Sequence, residues 1–266
     1  AEGHAGDAET LLARGQHRRA AGVDPAAAPR LVVETVSTLA ASGECGLTEV
    51  SLEIRPGEVL GVAGIDGNGQ KHLAEVLAGQ RPAAAGRIRI AGQRRRHGLR
   101  YITDERLGEG TVGGFSVATN LVLKEIGRAP LWSRGLTRWD RVHGHAREMI
   151  RRHDVRTPSE RTPIGKLSGG NIQKVLLARE LGGEASVVVF NKPTYGLDLQ
   201  NIRLARQRIA EGARQGLATL LISTELDELL ELSDRIAVLY RGRIVGVVDN
   251  SGDIELTLGR LMTGAA

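Results

Sequence analysis

The run Val59-Leu60-Gly61-Val62-Ala63 is apolar throughout and opens straight into Gly64-Ile65-Asp66-Gly67-Asn68-Gly69. A short apolar run bounded by glycines marks a strand buried on both faces. Beyond the loop, Leu73, Val76 and Leu77 follow helical spacing up to Gly79. The unit is strand, tight turn, helix, and a strand buried on both faces demands neighbours. Apolar runs at 187–190, 218–223 and 236–240 supply them, interleaved with helical patterns over 172–181 and 202–215. Strands alternating with helices predict an α/β fold with a parallel sheet and crossover connections.

The rest of the chain decorates that core. Residues 30–39 and 47–54 read as strands, with Pro56-Gly57 as a turn, and 87–90 and 99–103 as two more. From about 115 to 166 strands vanish. Leu121, Val122, Leu123 and Ile126, then Val142, Met149 and Ile150, mark a helical insert. A last strand is expected over 243–248, after the Gly242 turn. Residues 1–30 are rich in Ala, Gly and Arg, with Pro25 and Pro29. They read as a linker from an upstream domain, with a short helix near 10–14.

Composition removes several functional classes. The lone Cys45 provides neither a disulfide framework nor a zinc cluster, and it makes the cytosol the default compartment. No apolar run approaches the ~20 residues that span a bilayer. Residues 1–21 carry Arg14, Arg18 and Arg19 in a polar stretch unlike a signal peptide. The net charge of +5 is spread out, and aromatics are only 3%. Nucleic-acid binding wants a basic face with stacking partners. Arg94, Arg95 and Arg96 read instead as a solvated turn.

The loop Gly64, Asp66, Gly67, Asn68, Gly69 has the spacing of a phosphate cradle, whose backbone N–H groups converge at a helix N-terminus. A complete cradle continues with Lys and then Ser or Thr. Gln70 and Lys71 stand there, followed by His72 in place of the third glycine of a dinucleotide loop. Taken alone, the loop is as well explained by a ligand-free strand–helix turn.

Leu167-Ser168-Gly169-Gly170-Asn171 is more specific. A hydroxyl and two unhindered amides lead into the helix former Val175-Leu176-Leu177-Ala178-Arg179-Glu180-Leu181, a second anion site at a helix start. The competing reading makes Ser168 an ordinary N-cap. Downstream follow Val187-Val188-Val189-Phe190-Asn191-Lys192-Pro193-Thr194-Tyr195-Gly196-Leu197-Asp198 and Leu220-Leu221-Ile222-Ser223-Thr224-Glu225. Upstream stand Tyr101-Ile102-Thr103-Asp104-Glu105-Arg106 and Ser116-Val117-Ala118-Thr119-Asn120-Leu121.

Together, in this order over residues 31–262, these segments resemble the ATP-binding-cassette (ABC) nucleotide-binding domain. They are most similar to the C-terminal halves of tandem ATPases of sugar and nucleoside importers. The resemblance implies a P-loop NTPase cassette over 31–266: a RecA-like parallel core, an antiparallel β subdomain and a helical subdomain at about 115–166. It makes residues 64–72 the P-loop, 167–171 the signature acting in trans on a partner's ATP, and Gly196, Leu197 and Asp198 the D-loop. It implies ATP as ligand together with Mg²⁺, their binding weak or absent where the site is degenerate, and as partners the N-terminal ABC domain of the same polypeptide or another ABC domain, and membrane permease subunits, with no nucleic acid. The permease would hold the protein on the cytoplasmic face of the plasma membrane. Lys124, Glu125 and Arg128 are expected either to face it or to be a solvated face.

Aligned to that family, the residues of chemistry are missing from this chain's own site. Gln70 and Lys71 replace the P-loop Lys and hydroxyl, Asn191 the metal-supporting Asp, Lys192 the catalytic Glu, Thr224 the switch His and Asp104 the Q-loop Gln. No aromatic for adenine stacking stands between residues 30 and 42. A protonated lysine cannot accept a proton from water. The expectation is a degraded site beside an intact signature. The alternatives are a nucleotide-independent scaffold and a stand-alone homodimeric ATPase.

Overall fold

The computed structural model describes residues 23–91, 98–182 and 185–265. The expected helix near 10–14 and the arginine turn at 94–96 lie outside them. The elements begin with β1 (Leu31–Ser37), β2 (Val50–Ile54), β3 (Val59–Ala63), α1 (Gln70–Ala78), β4 (Ala85–Ile90) and β5 (Leu99–Ile102). Next come α2 (Val117–Leu121), β6 (Trp132–Ser133), β7 (Leu136–Thr137), α3 (Trp139–Arg152), α4 (Gly169–Leu181) and β8 (Val187–Asn191). The chain closes with α5 (Leu199–Arg214), β9 (Ala218–Ile222), α6 (Leu226–Leu232), β10 (Arg235–Tyr240), β11 (Arg243–Asp249) and α7 (Glu255–Thr263).

Among the described residues, one compact unit takes in 23–91, 98–101, 185–192 and 206–265. It holds a six-stranded sheet in the order β11-β10-β3-β9-β8-β5. β10, β3, β9 and β8 run parallel, and β11 returns antiparallel along the edge. The interior strands β3, β8 and β9 are buried at every position, as their apolar runs require. Edge strand β11 has no buried residue. A separate three-stranded antiparallel sheet, β2-β1-β4, completes the unit. Leu31, Val36, Ile54, Leu60, Leu73 and Leu220 lie in one continuous core. Each such side chain contributes roughly 1.5–3 kcal/mol on burial. α1 stops at Gly79, whose left-handed φ of 76° lets its N–H return to the last turn.

The second unit comprises, among the described residues, 102–182 and 193–205, and the stretch 115–166 lies within it. α2 starts on Ser116, whose Oγ accepts a hydrogen bond from Thr119 N at 3.1 Å. Val142, Ala146 and Met149 form the buried stripe of α3 and pack with Val117, Leu121, Ile164, Ile172 and Val175. The buried Asn120 amide ties the preceding loop to the start of α2. It accepts from Val112 N and donates to the Val112, Phe115 and Ser116 carbonyls.

The expectation of a purely helical insert fails at one point. β6 and β7 pair as a small hairpin across Arg134 and Gly135, both at positive φ (51° and 79°), as a tight two-residue turn requires. Strands of two residues are too short for alternation to show. α6 and α7 were also not evident beforehand.

Candidate nucleotide-binding site

The sequence-predicted site residues fall into two groups, one in each unit. The first is built on the carboxyl ends of β3, β9 and β8, neighbours in the sheet. That end of a parallel sheet is where open α/β folds place ligands. Gly64 has no room for a side chain: a Cβ would lie 2.5 Å from Leu239 O and 2.8 Å from Gln70 Nε2. Gly67 and Gly69 take φ of 87° and 105°, a region L side chains avoid. Asn68 fastens the loop. Its Nδ2 donates to Ile65 O at 2.9 Å, and its Oδ1 accepts from Arg241 N at 2.8 Å.

The three residues after the loop turn in three directions. Gln70 is buried, and its Nε2 donates back to Ile65 O at 2.9 Å. Its Oε1 is also buried, with no hydrogen-bond partner among the described residues. Lys71 is exposed and runs along α1 to within 3.7 Å of Glu75 Oε1. His72 is buried, with Nδ1 2.8 Å from Thr38 Oγ1 and Nε2 3.0 Å from Glu44 Oε2. The hydrogen bond from His72, then one from the Ala41 amide, holds the Glu44 carboxyl below the usual range. His72 therefore braces the β1–β2 connection.

Asn191 ends β8, buried and level with Ile222 of β9. Lys192 follows in a left-handed conformation, φ 45°, with its N–H donating to Ile222 O at 2.8 Å. Its Nζ donates to Asp66 Oδ1 at 2.8 Å, across 126 residues of sequence. The lysine side chain is 18% exposed and that of Asp66 69%. Thr224 is exposed just beyond β9. Sequence reasoning singled out Asp66 and Lys192 separately but not their pairing, and no local pattern carries it.

The second group surrounds the start of α4. Ser168 and Gly169 are exposed. Ser168 does not cap the helix with its side chain; Asn171 Nδ2 donates to its Oγ at 2.9 Å, and Asn171 Oδ1 accepts from Arg156 N at 2.7 Å. The ordinary N-cap reading is thereby corrected: the side chains lock to each other, and the first amides stay uncapped by Ser168. Gly170 packs directly on the Asn201 side chain. Asn201 in turn is held by Asp198, whose Oδ1 accepts from Asn201 N at 2.9 Å and Oδ2 from Asn201 Nδ2 at 2.7 Å. Those bonds, the backbone one first, keep the Asp198 carboxyl below its ordinary range. Gly196 turns the loop at φ 66°.

A residue not assigned a role from the sequence binds this group together. Arg106 Nε donates to Gln173 Oε1 at 2.9 Å, and its guanidinium also reaches Tyr195 O. Gln173 Nε2 donates to Pro193 O at 3.0 Å. Burial pushes the Arg106 guanidinium down, while Asp104 and Glu105 oppose it. Asp104 itself lies beside Thr103 Oγ1 at 3.4 Å, and its carbonyl accepts from Arg106 N. Lys124 stands 3.5 Å from the buried Glu180 carboxylate, and Arg128 3.4 Å from Glu125, so both lysine and arginine have intrachain partners.

Chemically, the loop group offers backbone donors, a neutral amide and an ammonium. It offers no carboxylate at the Asn191 and Lys192 positions to act as general base or metal ligand. The α4 group offers an exposed helix start with two glycines, suited to an anion.

Known proteins resemble the chain in sequence and in fold. The profile of the ABC transporter family matches residues 47–195. The nucleoside import ATP-binding protein NupA of Lactococcus lactis subsp. cremoris is 36% identical, covering 90% of this chain and 50% of the relative. The guanosine import ATP-binding protein NupO of Bacillus subtilis is 34% identical over 88% and 48%. The glucose import ATP-binding protein TsgD13 of Haloferax volcanii is 35% identical over 89% and 45%. The chain thus spans about half the length of these curated relatives. Among solved structures, the dimeric post-hydrolysis state of the ATP-binding cassette MJ0796 bound to ADP and Pi superposes with a TM-score of 0.70 at 18% identity. It covers 84% of this chain and 100% of that one. A nucleotide-free ATP-binding cassette from an ABC transporter gives 0.68 at 21% identity, over 86% and 94%. With the profile spanning more than half of the sequence and the glycine loop and α4 start standing in place, the chain belongs to the ABC transporter family and has the fold of its ATP-binding cassette.

Proposed function

We propose that the chain is one nucleotide-binding half of an importer for a sugar or nucleoside. In this reading its own loop site does not hydrolyse ATP, and Ser168, Gly169, Gly170 and Asn171 complete the site of a second cassette. The two cassettes drive a membrane permease from its cytoplasmic face. No helix among the described residues is long and apolar enough to cross a membrane; in this reading the transport path is the permease's. That these relatives are named as nucleoside, guanosine and glucose import proteins supports the substrate class.

One observation carries the reading. The position of the catalytic carboxylate is filled by Lys192, whose ammonium is tied to Asp66, while the α4 start stays exposed and braced from behind by Asn201. Phosphoryl transfer to water depends on positioned charge, metal and a group to orient the nucleophile. Removing several at once costs orders of magnitude, since ~1.4 kcal/mol is already tenfold. The stand-alone homodimer would have no general base at either site.

The test is ATP hydrolysis by this chain alone and mixed with a cassette carrying an intact loop lysine and catalytic carboxylate. Turnover is expected only in the mixture, and Gly169→Asp in this chain removes it by putting a carboxylate on the γ-phosphate's helix start. Sustained Mg²⁺-dependent hydrolysis by the chain alone contradicts the reading.

A further inference from the structure

We infer that Lys192 is a built-in substitute for the metal, so that the loop site binds the polyphosphate of a nucleotide without a divalent cation. The inference rests on reading the loop as a phosphate-facing site. Family membership implies Mg²⁺ beside the nucleotide, but the residues here do not fit it. Mg²⁺ wants hard oxygen ligands in octahedral array. The hydroxyl position is Lys71, which points to Glu75, and the carboxylate positions are the amide Asn191 and the ammonium Lys192.

The same geometry supplies a different cation. Lys192 leaves β8 at φ 45°, its backbone fixed by Ile222 O, and the left-handed turn sends Nζ to Asp66 in the middle of the glycine loop. The ammonium is therefore held against the phosphate cradle on a stem that is largely buried. Its resting partner is exposed and screened, and exposed ion pairs are worth little. A triphosphate brings several charges and strong acceptor oxygens, and outcompetes one solvated carboxylate for the same ammonium. Binding exchanges the Lys192–Asp66 pair for a Lys192–phosphate pair and involves no covalent step. Asp66 acts as the anion that fills the site while it is empty of nucleotide.

The experiment is calorimetric titration of the 266-residue chain with ATP and with inorganic tripolyphosphate, in EDTA and in excess Mg²⁺. Both ligands are expected to bind in EDTA, and no more tightly in Mg²⁺, which competes for the same oxygens. Lys192→Met, which keeps the apolar stem, weakens binding about tenfold or more, the loss of one charge-assisted contact. Asp66→Asn removes the competing anion and tightens it. Should Lys192→Met fail to fold in a thermal melt, the direction of the Asp66→Asn change still decides. Binding seen only with Mg²⁺, equal affinity in Lys192→Met, weaker affinity in Asp66→Asn, or no binding in either buffer overturns the inference. The Lys192→Met and Asp66→Asn differences read the loop, since neither residue touches the α4 start. The mixed-cassette ATPase and its loss in Gly169→Asp read the α4 start, so the two readings fail separately.

Discussion

Gly170 and Asn201 touch so closely that a Cβ on the glycine would lie 2.8 Å from the asparagine Cγ. Asn201 cannot simply swing away, because Asp198 holds both its backbone N–H and its side-chain amide. The bareness of Gly170 is therefore a packing requirement.

Gly170→Ala sets two effects against each other. Alanine in a helix gains ~1 kcal/mol over glycine, while the new methyl displaces Asn201 from Asp198. The single variant is expected to be no more stable than the parent. Asn201→Ala in the same background releases the clash and recovers the helix gain. A double-mutant cycle by urea unfolding should give a coupling of at least ~0.5 kcal/mol between the two positions. Strict additivity would mean that the contact is not as tight as described.

Arg106→Met should destabilise the second unit by ~1–3 kcal/mol, because the buried Gln173 Oε1 loses its donor. Arg106→Lys should not restore the loss. The planar guanidinium serves Gln173 and Tyr195 O together, whereas an ammonium is a single point of charge. Thermal melts of the three proteins measure it, and a lysine variant as stable as the parent contradicts the shared role.

The pH dependence has a defined sign at Asp154. Its carboxylate receives a hydrogen bond from Lys174 Nζ at 2.9 Å, and that bond first, then the ammonium charge, lowers its pKa. A group with a depressed folded pKa adds stability that is complete above its unfolded value and is lost as pH falls through the folded one. The melting temperature of the parent should exceed that of Asp154→Asn by a constant amount above about pH 5, and the gap should close below about pH 4. Asparagine is the right comparison because residue 154 has φ 49°, which Asn tolerates. A gap that widens in acid contradicts the assignment.

What could be read from the chain alone was whatever is written within a dozen consecutive residues. The unbroken apolar runs of β3, β8 and β9, the glycines at 67 and 69, and the helix after Gly169-Gly170 announce buried parallel strands and two glycine-led helix starts, because strand burial and left-handed turns impose those residue types locally. The β6–β7 hairpin escaped since two residues per strand carry no period. Tertiary structure alone decided which side chains meet. Lys192 finds Asp66 across 126 residues, Gln173 finds Arg106 across 67, and His72 turns from the loop to Thr38 and Glu44. Such encounters depend on strand order and on how each crossover returns, and neither is encoded in the spacing of neighbouring residues. That residue 192 carries an ammonium is legible in the sequence, but the anion that this charge finds is set by the fold.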